Sequence, residues 1–235
     1  MAKDNTIYYL KYDDILDKET LNFIYMNEDC NYYFSDKFDS EFYIQLARCG
    51  FISTSIIENN KQYLLPEMQF EYALLDFENL IISKSVNKLL EKNNYKFSIN
   101  TKFNEVLEKL DNYHEINWLS GKYKEMIMDI YNLNDIDQIE ILSIELSNEK
   151  DELIAGEIGY IIGKTYTSLT GFSSKEKSYK NWGKLQMVLL GKYLEKEKYD
   201  FWNLGHPYMQ YKFDLGALKY SRIDFLKLWL VSINK

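Results

Sequence analysis

The residues best suited to acid–base or metal chemistry are few in this chain of 235 residues. Its two histidines are His114 and His206, and its two cysteines are Cys30 and Cys49. A neutral imidazole can accept a proton, and thiolates with imidazoles bind zinc when several lie at close spacing. Because no CxxC pair or Cys/His cluster occurs, we predict no metal site, no disulfide framework and a reducing compartment. His114 stands alone in a predicted turn and is expected to be exposed.

Glycine-rich phosphate loops are a second source of chemistry, and the glycine spacing does not support one. Gly156, Gly159 and Gly163 lie in predicted strands and lack the GxGxxG spacing of a dinucleotide site. We therefore expect no cofactor.

Periodic apolar residues predict the elements that would position a site. In the first part of the chain we predict a helix ending at Arg48 and capped by Asp39 or Ser40, strands around a turn within residues 70–82, and a helix over residues 85–92. In the second part we predict a helix from Phe103 capped by Asn100 or Thr101, and a second helix over residues 122–133. Three strands follow over residues 139–146, 153–162 and 165–171, and then a helix over residues 182–197 and a strand over residues 201–204. This order predicts an α+β fold with a largely antiparallel sheet, divided into an N-terminal α/β region (1–96) and a core (97–235).

Charge and hydropathy limit the classes of partner. The formal net charge of −8 argues against a protein coated in nucleic acid, although one basic face remains compatible with it. The chain starts without a signal-peptide pattern and contains no apolar run long enough for a membrane span. We expect a cytoplasmic protein that does not bind membranes, with a monomer as the default state.

Three blocks, in the same order as in a known family, resemble leucyl/phenylalanyl-tRNA–protein transferases. The first ends in Arg48-Cys49-Gly50-Phe51, and the second is Leu80-Ile-Ile-Ser-Lys-Ser-Val86. The third runs from Trp118 to Phe225 and includes Gly171-Phe172-Ser173 and Leu215-Gly216-Ala217. The resemblance covers nearly the whole chain. It implies a GNAT-like acyltransferase core and transfer of Leu, Phe or Met from charged tRNA to the N-terminal amine of a protein, which marks that protein for degradation.

The sequence departs from the family where carboxylates are expected. The family motif Gly-Glu-Ser-Met-Phe-Ser corresponds here to residues 168–173, so its Glu becomes Leu169. A family Asp corresponds to Asn203, and the Gln two positions later corresponds to Gly205 or, after a shift of one residue, to His206. An Asp or a neutral His can take the proton of the attacking amine, whereas an Asn can only orient groups. We therefore expect His206 as the proton acceptor and Asn203 as a positioning or oxyanion group. The alternative is that His206 is an ordinary loop residue beside Pro207 and that Asn203 only satisfies nearby backbone groups.

The resemblance also implies which residues bind substrates. Those expected to contact the aminoacyl group or the adenosine end are Trp118, Thr170, Gly171, Phe172, Met187, Leu190, Leu194 and Trp202. The apolar members of that set could equally be core residues of an amphipathic helix, and Trp118 could be a hydrophobic staple. The lysines expected to contact tRNA phosphates are Lys84, Lys88, Lys180 and Lys184, although surface lysines are usually only solvated.

Two other functions remain open on the sequence. A GNAT-type acyltransferase could use coenzyme A, but the segment Lys180–Leu185 contains only one of the glycines that its pyrophosphate loop requires. A non-catalytic descendant of the family could bind tRNA or peptide N-termini without chemistry, as the missing carboxylates suggest.

Overall fold

The computed structural model describes residues 7–133 and 138–235. The first six residues, which entered the argument against a signal peptide, lie outside the described residues. The helices are α1 (Tyr12–Leu16), α2 (Lys18–Met26), α3 (Ser40–Arg48), α4 (Lys84–Lys92), α5 (Phe103–Tyr113), α6 (Gly121–Leu133), α7 (Trp182–Lys196), α8 (Gln210–Asp214) and α9 (Arg222–Ser232). The strands are β1 (Tyr8–Tyr9), β2 (Tyr33–Phe34), β3 (Ile52–Glu58), β4 (Lys61–Glu67), β5 (Glu71–Leu75), β6 (Tyr95–Ile99), β7 (Glu140–Asn148), β8 (Leu153–Ile162), β9 (Thr165–Ser173), β10 (Phe201–Asn203) and β11 (Leu218–Ser221).

A seven-stranded sheet forms the centre of the fold, in the order β11-β5-β10-β9-β8-β7-β6. Strand β10 pairs in parallel with β9 and antiparallel with β5, and the remaining neighbours are antiparallel. The chain passes from β9 to β10 through α7, because parallel neighbours cannot be joined by a tight turn. The prediction of an α+β fold with a largely antiparallel sheet is confirmed.

Both faces of this sheet are covered by apolar cores. Along β8, Tyr160 and Ile162 belong to a core shared with α3, α5, α6 and α9, whereas Ile161 belongs to a core shared with α7. Side chains of a strand alternate between faces, so this division places helices on either side. The nearly continuous apolar run of β8 follows from burial on both faces.

Most of the predicted elements are present. The strands predicted over residues 139–146, 153–162 and 165–171 correspond to β7, β8 and β9, and the helix predicted over 182–197 corresponds to α7. Asp39 caps α3 by accepting a hydrogen bond from the Phe42 N–H at 2.9 Å. The predicted boundary between the two domains, at residue 96, lies inside strand β6. Strand β5, from the predicted N-terminal region, belongs to the same large sheet as the strands of the predicted core. The division into two domains stays a prediction.

Two local predictions are wrong. Residues 80–82 do not form a second strand after β5: a 3₁₀ turn at Phe77–Asn79 follows β5, and the Ile81 N–H donates to the Leu215 carbonyl at 2.9 Å, so the chain crosses the loop before β11. Neither Asn100 nor Thr101 caps α5 with its side chain, since its N-cap is Lys102. The Glu145 carboxylate on β7 instead accepts the N–H groups of Thr101 and Lys102, each at 3.2 Å.

Arg222, the first residue of α9, fastens the N-terminal segment to the sheet. Its buried guanidinium donates to backbone carbonyls of five residues, namely Ile24, Asn27, Cys30, Met68 and Gln69. It also lies 4.8 Å from the centre of the Phe70 ring.

None of the helices in the described ranges is both long enough and apolar enough to cross a bilayer.

Candidate functional site

A cleft of about 690 Å³ opens between the β3–β4 hairpin and the central sheet. Its walls come from the N-terminal half of β8, the C-terminal half of β9, the first turns of α7, the loop after β10 and helix α8. The loop between α5 and α6 contributes Trp118. The lining combines apolar side chains with many polar and charged ones, and ligand sites use polar groups of this kind to orient what they bind.

The loop after β10 brings His206 into this cleft. Asn203 ends the strand, and its Oδ1 accepts the Gly205 N–H at 2.9 Å. Gly205 has a φ of +72°, a left-handed conformation that a residue with a side chain rarely adopts. The turn therefore depends on both residues, and it directs the chain so that His206 lines the cleft.

A carboxylate lies against the imidazole of His206. The Glu67 Oε2 atom, at the end of β4, is 2.7 Å from His206 Nε2. The side chain of Glu67 is 5% exposed and that of His206 is 28% exposed, so the acid lies behind a ring that solvent can reach. The second carboxylate oxygen accepts a hydrogen bond from Asn31 Nδ2 at 2.6 Å. The Tyr208 ring stacks on the imidazole with centroids 4.7 Å apart.

Lys212, on α8, binds the backbone of the same loop through its side chain. Its buried ammonium donates to the carbonyls of Leu204 at 2.5 Å and His206 at 2.6 Å. Burial disfavours the charged amine and lowers the pKa of Lys212 to about 8. The ammonium thus fixes the backbone of the histidine loop and adds positive potential beside the cleft.

A second carboxylate, Glu157 on β8, lies in the cleft wall and is almost fully buried. It accepts hydrogen bonds from Tyr166 Oη at 2.8 Å, Ser168 Oγ at 2.7 Å and Gln186 Nε2 at 3.3 Å. Burial raises the pKa of Glu157, and the three hydrogen bonds oppose that rise. In the described part of the chain, no cation lies within ion-pair distance of this carboxylate.

A β-bulge in β9 shapes the wall beside Glu157. Ile158 pairs with Thr170 and Gly159 pairs with Ser168, so Leu169 is the extra residue. A bulge redirects neighbouring side chains, and Ser168, Leu169 and Thr170 consequently all line the cleft. The position at which the family resemblance places a Glu is therefore an apolar residue of the cleft.

His114 also belongs to this region, and the prediction that it is exposed in a turn is wrong. It is the C-terminal cap of α5 and is half-buried. Its Nε2 lies 3.2 Å from the Gly171 carbonyl and 3.2 Å from Thr170 Oγ1. The helix end directs His114 onto β9, a long-range contact that local sequence does not indicate.

The structure brings together part of the predicted substrate site. Of the residues predicted to bind substrates, five line the cleft: Trp118, Thr170, Gly171, Phe172 and Met187. His206, the predicted proton acceptor, lines it as well. Leu190, Leu194 and Trp202 are fully buried in the core behind it. Trp202 still contacts the wall, since its Nε1 donates to Ser168 Oγ at 2.8 Å. Asn203 is buried and acts on the cleft only through the turn at Gly205.

The predicted tRNA-binding lysines are spread over the surface. Lys184 lines the cleft and forms an exposed ion pair with Asp214 at 3.4 Å. Lys180 is exposed just before α7, and Lys84 and Lys88 are exposed on the first turns of α4. These three lysines are outside the cleft lining.

Sequence reasoning missed Glu67, Glu157, Gln186 and Lys212. One of them had a local signal: Glu157 interrupts the apolar run of residues 153–162, and a charged residue inside such a run is costly without a purpose. Glu67 had no local signal in the sequence, because its partner His206 is distant along the chain. Lys212 is one of many lysines, and only its burial distinguishes it.

Comparison with known proteins identifies relatives over most of this region. The family model for leucyl/phenylalanyl-tRNA protein transferases matches residues 74–229. A leucyl/phenylalanyl-tRNA–protein transferase of Flavobacterium johnsoniae is 24% identical over 159 residues, which cover 66% of this chain and 70% of that protein. One of Shewanella woodyi is 25% identical over 155 residues, which cover 64% of this chain and 60% of that protein.

Solved structures show more distant likenesses. The crystal structure of FemX aligns with a TM-score of 0.47 at 10% identity, covering 94% of this chain and 80% of FemX. L-PGS from Bacillus licheniformis aligns with a TM-score of 0.41 at 14% identity, covering 74% of this chain. This chain matches 51% of the L-PGS structure, about half its length.

Proposed function

The chain belongs to the leucyl/phenylalanyl-tRNA protein transferase family, and from this premise we propose that it transfers a hydrophobic amino acid from charged tRNA to the N-terminal amine of a protein. The observation that carries the proposal is the family match over residues 74–229, which contain most of the cleft lining. The donated residue is Leu, Phe or Met, and its addition marks the acceptor for degradation.

The reaction requires positioning and proton transfer, since the donor ester is already activated. The acceptor nitrogen attacks the ester carbonyl carbon, a C–N bond forms, and the C–O bond to the tRNA ribose breaks. The amine loses a proton and the ribose oxygen gains one, so a single group that accepts and returns the proton balances the step. The oxyanion that develops on the carbonyl needs a hydrogen-bond donor or a nearby positive charge.

We assign the proton transfer to His206. It is a partly exposed imidazole of the cleft, held by the turn at Asn203 and Gly205. Asn203 acts as a positioning group through this turn. Lys212, whose ammonium binds the carbonyls on both sides of Gly205, supplies positive potential near the place where the oxyanion develops.

The apolar part of the cleft would receive the donor side chain and the adenosine. Met187 and Phe172 offer apolar surface on α7 and β9, and Trp118 offers an indole ring for stacking against a base. Thr170 and Gly171 add polar backbone and hydroxyl groups next to them. Leu190, Leu194 and Trp202 support this wall from the core.

For the tRNA, Lys184 is the contact that the geometry supports best, because it stands at the cleft itself. Lys180 precedes the same helix, where backbone N–H groups favour phosphate. Lys84 and Lys88 would extend the contact along α4. We further propose a GNAT-like core over residues 97–235, an N-terminal region over 1–96, and a cytoplasmic monomer that acts without a cofactor.

The test is transfer of radiolabelled Leu, Phe or Met from charged tRNA to peptides that begin with Lys, Arg, Asp or Glu. Incorporation that disappears after ribonuclease treatment supports the proposal. No incorporation in any pairing, together with binding of tRNA or peptide, would replace it with a non-catalytic binder. Thermal stabilisation by coenzyme A would instead favour an acyltransferase that uses a thioester.

A further inference from the structure

The contact between Glu67 and His206 joins two parts of the chain that the family match separates. His206 lies within the matched residues 74–229, and Glu67 lies before them, at the end of β4. The carboxylate is 5% exposed, and its oxygens contact His206 Nε2 at 2.7 Å and Asn31 Nδ2 at 2.6 Å. A buried carboxylate needs hydrogen-bond partners, and here the imidazole of the cleft is one of the two that this acid has at short distance among the described residues.

We infer that Glu67 is the positioning residue of His206: its carboxylate accepts the Nε2 proton, holds the imidazole in the Nε2–H tautomer, and leaves Nδ1 to take the proton of the acceptor amine. This inference rests on the proposed function. It supplies from β4 the carboxylate that Leu169 and Asn203 do not provide.

The tautomer matters because only an unprotonated ring nitrogen is a base. An ionised carboxylate accepts hydrogen bonds and donates none, so Nε2 must carry the hydrogen in the contact with Glu67. The other nitrogen, Nδ1, is then free of a proton. When Nδ1 takes the amine proton, the ring becomes positively charged, and the adjacent carboxylate stabilises that charge. The proton then passes to the departing ribose oxygen, which restores the neutral ring.

The surroundings hold the acid in place for this purpose. Asn31 donates to one oxygen, and Gln69 Nε2 lies 3.5 Å from the other. The carbonyls of Met68 and Gln69, the residues that follow Glu67, are held by Arg222. The position of the carboxylate is therefore fixed by the fold on one side and by the imidazole on the other.

Other charged and titratable groups near the ring come from several elements. Tyr208 stacks on it, Lys212 binds its carbonyl, and Tyr32 lies beside Glu67. Glu157, Lys184 and His114 line the same cleft. The experiment must therefore isolate Glu67 from these groups rather than rely on the pH dependence of the whole enzyme.

The kinetic test compares Glu67→Gln, His206→Ala and the double variant in the transfer assay. Glu67→Gln keeps the shape of the side chain but allows its amide to donate to Nε2, which moves the ring proton to Nδ1. We expect kcat to fall by about 10²-fold with KM within about twofold, because general-base catalysis contributes about 10²–10⁴-fold. The double variant should be no slower than His206→Ala, since Glu67 acts through the histidine.

Glu71→Gln is the matched control. Glu71 is also a carboxylate, the first residue of β5, but its side chain is 45% exposed and pairs with Lys219 at 2.8 Å outside the cleft. It should keep wild-type kcat and KM. A loss in Glu67→Gln that is shared by this control would reflect total charge and would overturn the inference.

A spectroscopic test works even in the absence of turnover. The chain has two histidines, so ¹⁵N spectra of the imidazoles are assigned by comparison with His114→Ala. At pH 9, where imidazoles are mainly neutral, the wild type should show a protonated Nε2 and an unprotonated Nδ1 for His206. Glu67→Gln should shift the population toward protonated Nδ1.

The outcomes separate this inference from the proposed function. Transfer by the wild type, with unchanged kcat in Glu67→Gln or with losses that multiply in the double variant, overturns the role of Glu67 and leaves the transferase proposal standing. Absence of transfer by the wild type refutes the proposed function, and the tautomer then decides alone: dependence on Glu67 supports the positioning role, and an identical spectrum in Glu67→Gln contradicts it.

Discussion

Glu157 should make the protein less stable at neutral pH than its neutral isostere does. The carboxylate is buried, no cation of the described chain pairs with it, and burial raises its pKa above the ordinary value. The stability that the protonated acid contributes is fully present below the unfolded-state pKa of 4.5 and is lost as the pH rises through the folded-state pKa. Glu157→Gln removes this loss.

The expected size follows from the contacts. Tyr166 and Ser168 are hydroxyl groups that can either donate or accept, and Gln186 can still donate, so a glutamine at position 157 keeps its partners. The substitution therefore removes only the unfavourable free energy of burying an ionised carboxylate. We expect the free energy of unfolding to rise by about 1–3 kcal/mol at pH 8, and Tm to rise by about 2–4 °C for each kcal/mol.

Thermal melts at pH 5 and pH 8 measure the effect. The difference in Tm between Glu157→Gln and wild type should grow from pH 5 to pH 8. The exposed Glu91→Gln serves as a control and should differ little from wild type at either pH. A Glu157→Gln variant that melts below wild type at pH 8 would refute the reasoning, because the hydrogen bonds to the ionised carboxylate would then outweigh its burial.

Two other perturbations test the supports of the site. Arg222→Met leaves the backbone carbonyls of the N-terminal segment without their donor. Because each buried unsatisfied group costs about 1–3 kcal/mol, the variant should lower the free energy of unfolding, measured in urea, by at least about 3 kcal/mol. Arg222→Lys, with three donors, should recover part of the loss, and equal stability of the two variants would contradict this account. Lys212 has a pKa lowered to about 8 by burial, so its contribution to stability is present above the unfolded-state value of 10.5 and is lost as the pH falls to 8. The stability of the wild type relative to Lys212→Met, measured by urea denaturation, should therefore increase between pH 8 and 10.5, and a constant difference would show that the amine is not desolvated.

Strong periodicity made the central elements predictable. The strands β7, β8 and β9 and the helix α7 are long, and each has a clear apolar pattern, which in β8 is a nearly continuous run, so local sequence determined their type. Spacing alone could not tell which face of α7 meets the cleft. Met187 lines it whereas Leu190 and Leu194 are in the core, because the neighbours that cover each face come from elsewhere in the chain.

The parts of the site that escaped prediction depend on pairing rather than on composition. The Glu67–His206 contact joins β4 to the loop after β10, and no local pattern links the two. The bulge at Leu169 is a property of the register between β8 and β9, which a single strand does not reveal. Glu157 was the exception, since a charged residue inside an apolar strand was visible in the sequence.

The order of strands has a consequence for synthesis of the protein on the ribosome. Strand β5 is made early, yet its partners β10 and β11 are among the last strands to emerge. Until they do, β5 has no partner strand on either of its edges, because its two neighbours in the sheet are β10 and β11. Contacts so distant along the chain form slowly. The sheet around β5, and the site beside it, can therefore be completed only after the residues of β11 (218–221) have emerged.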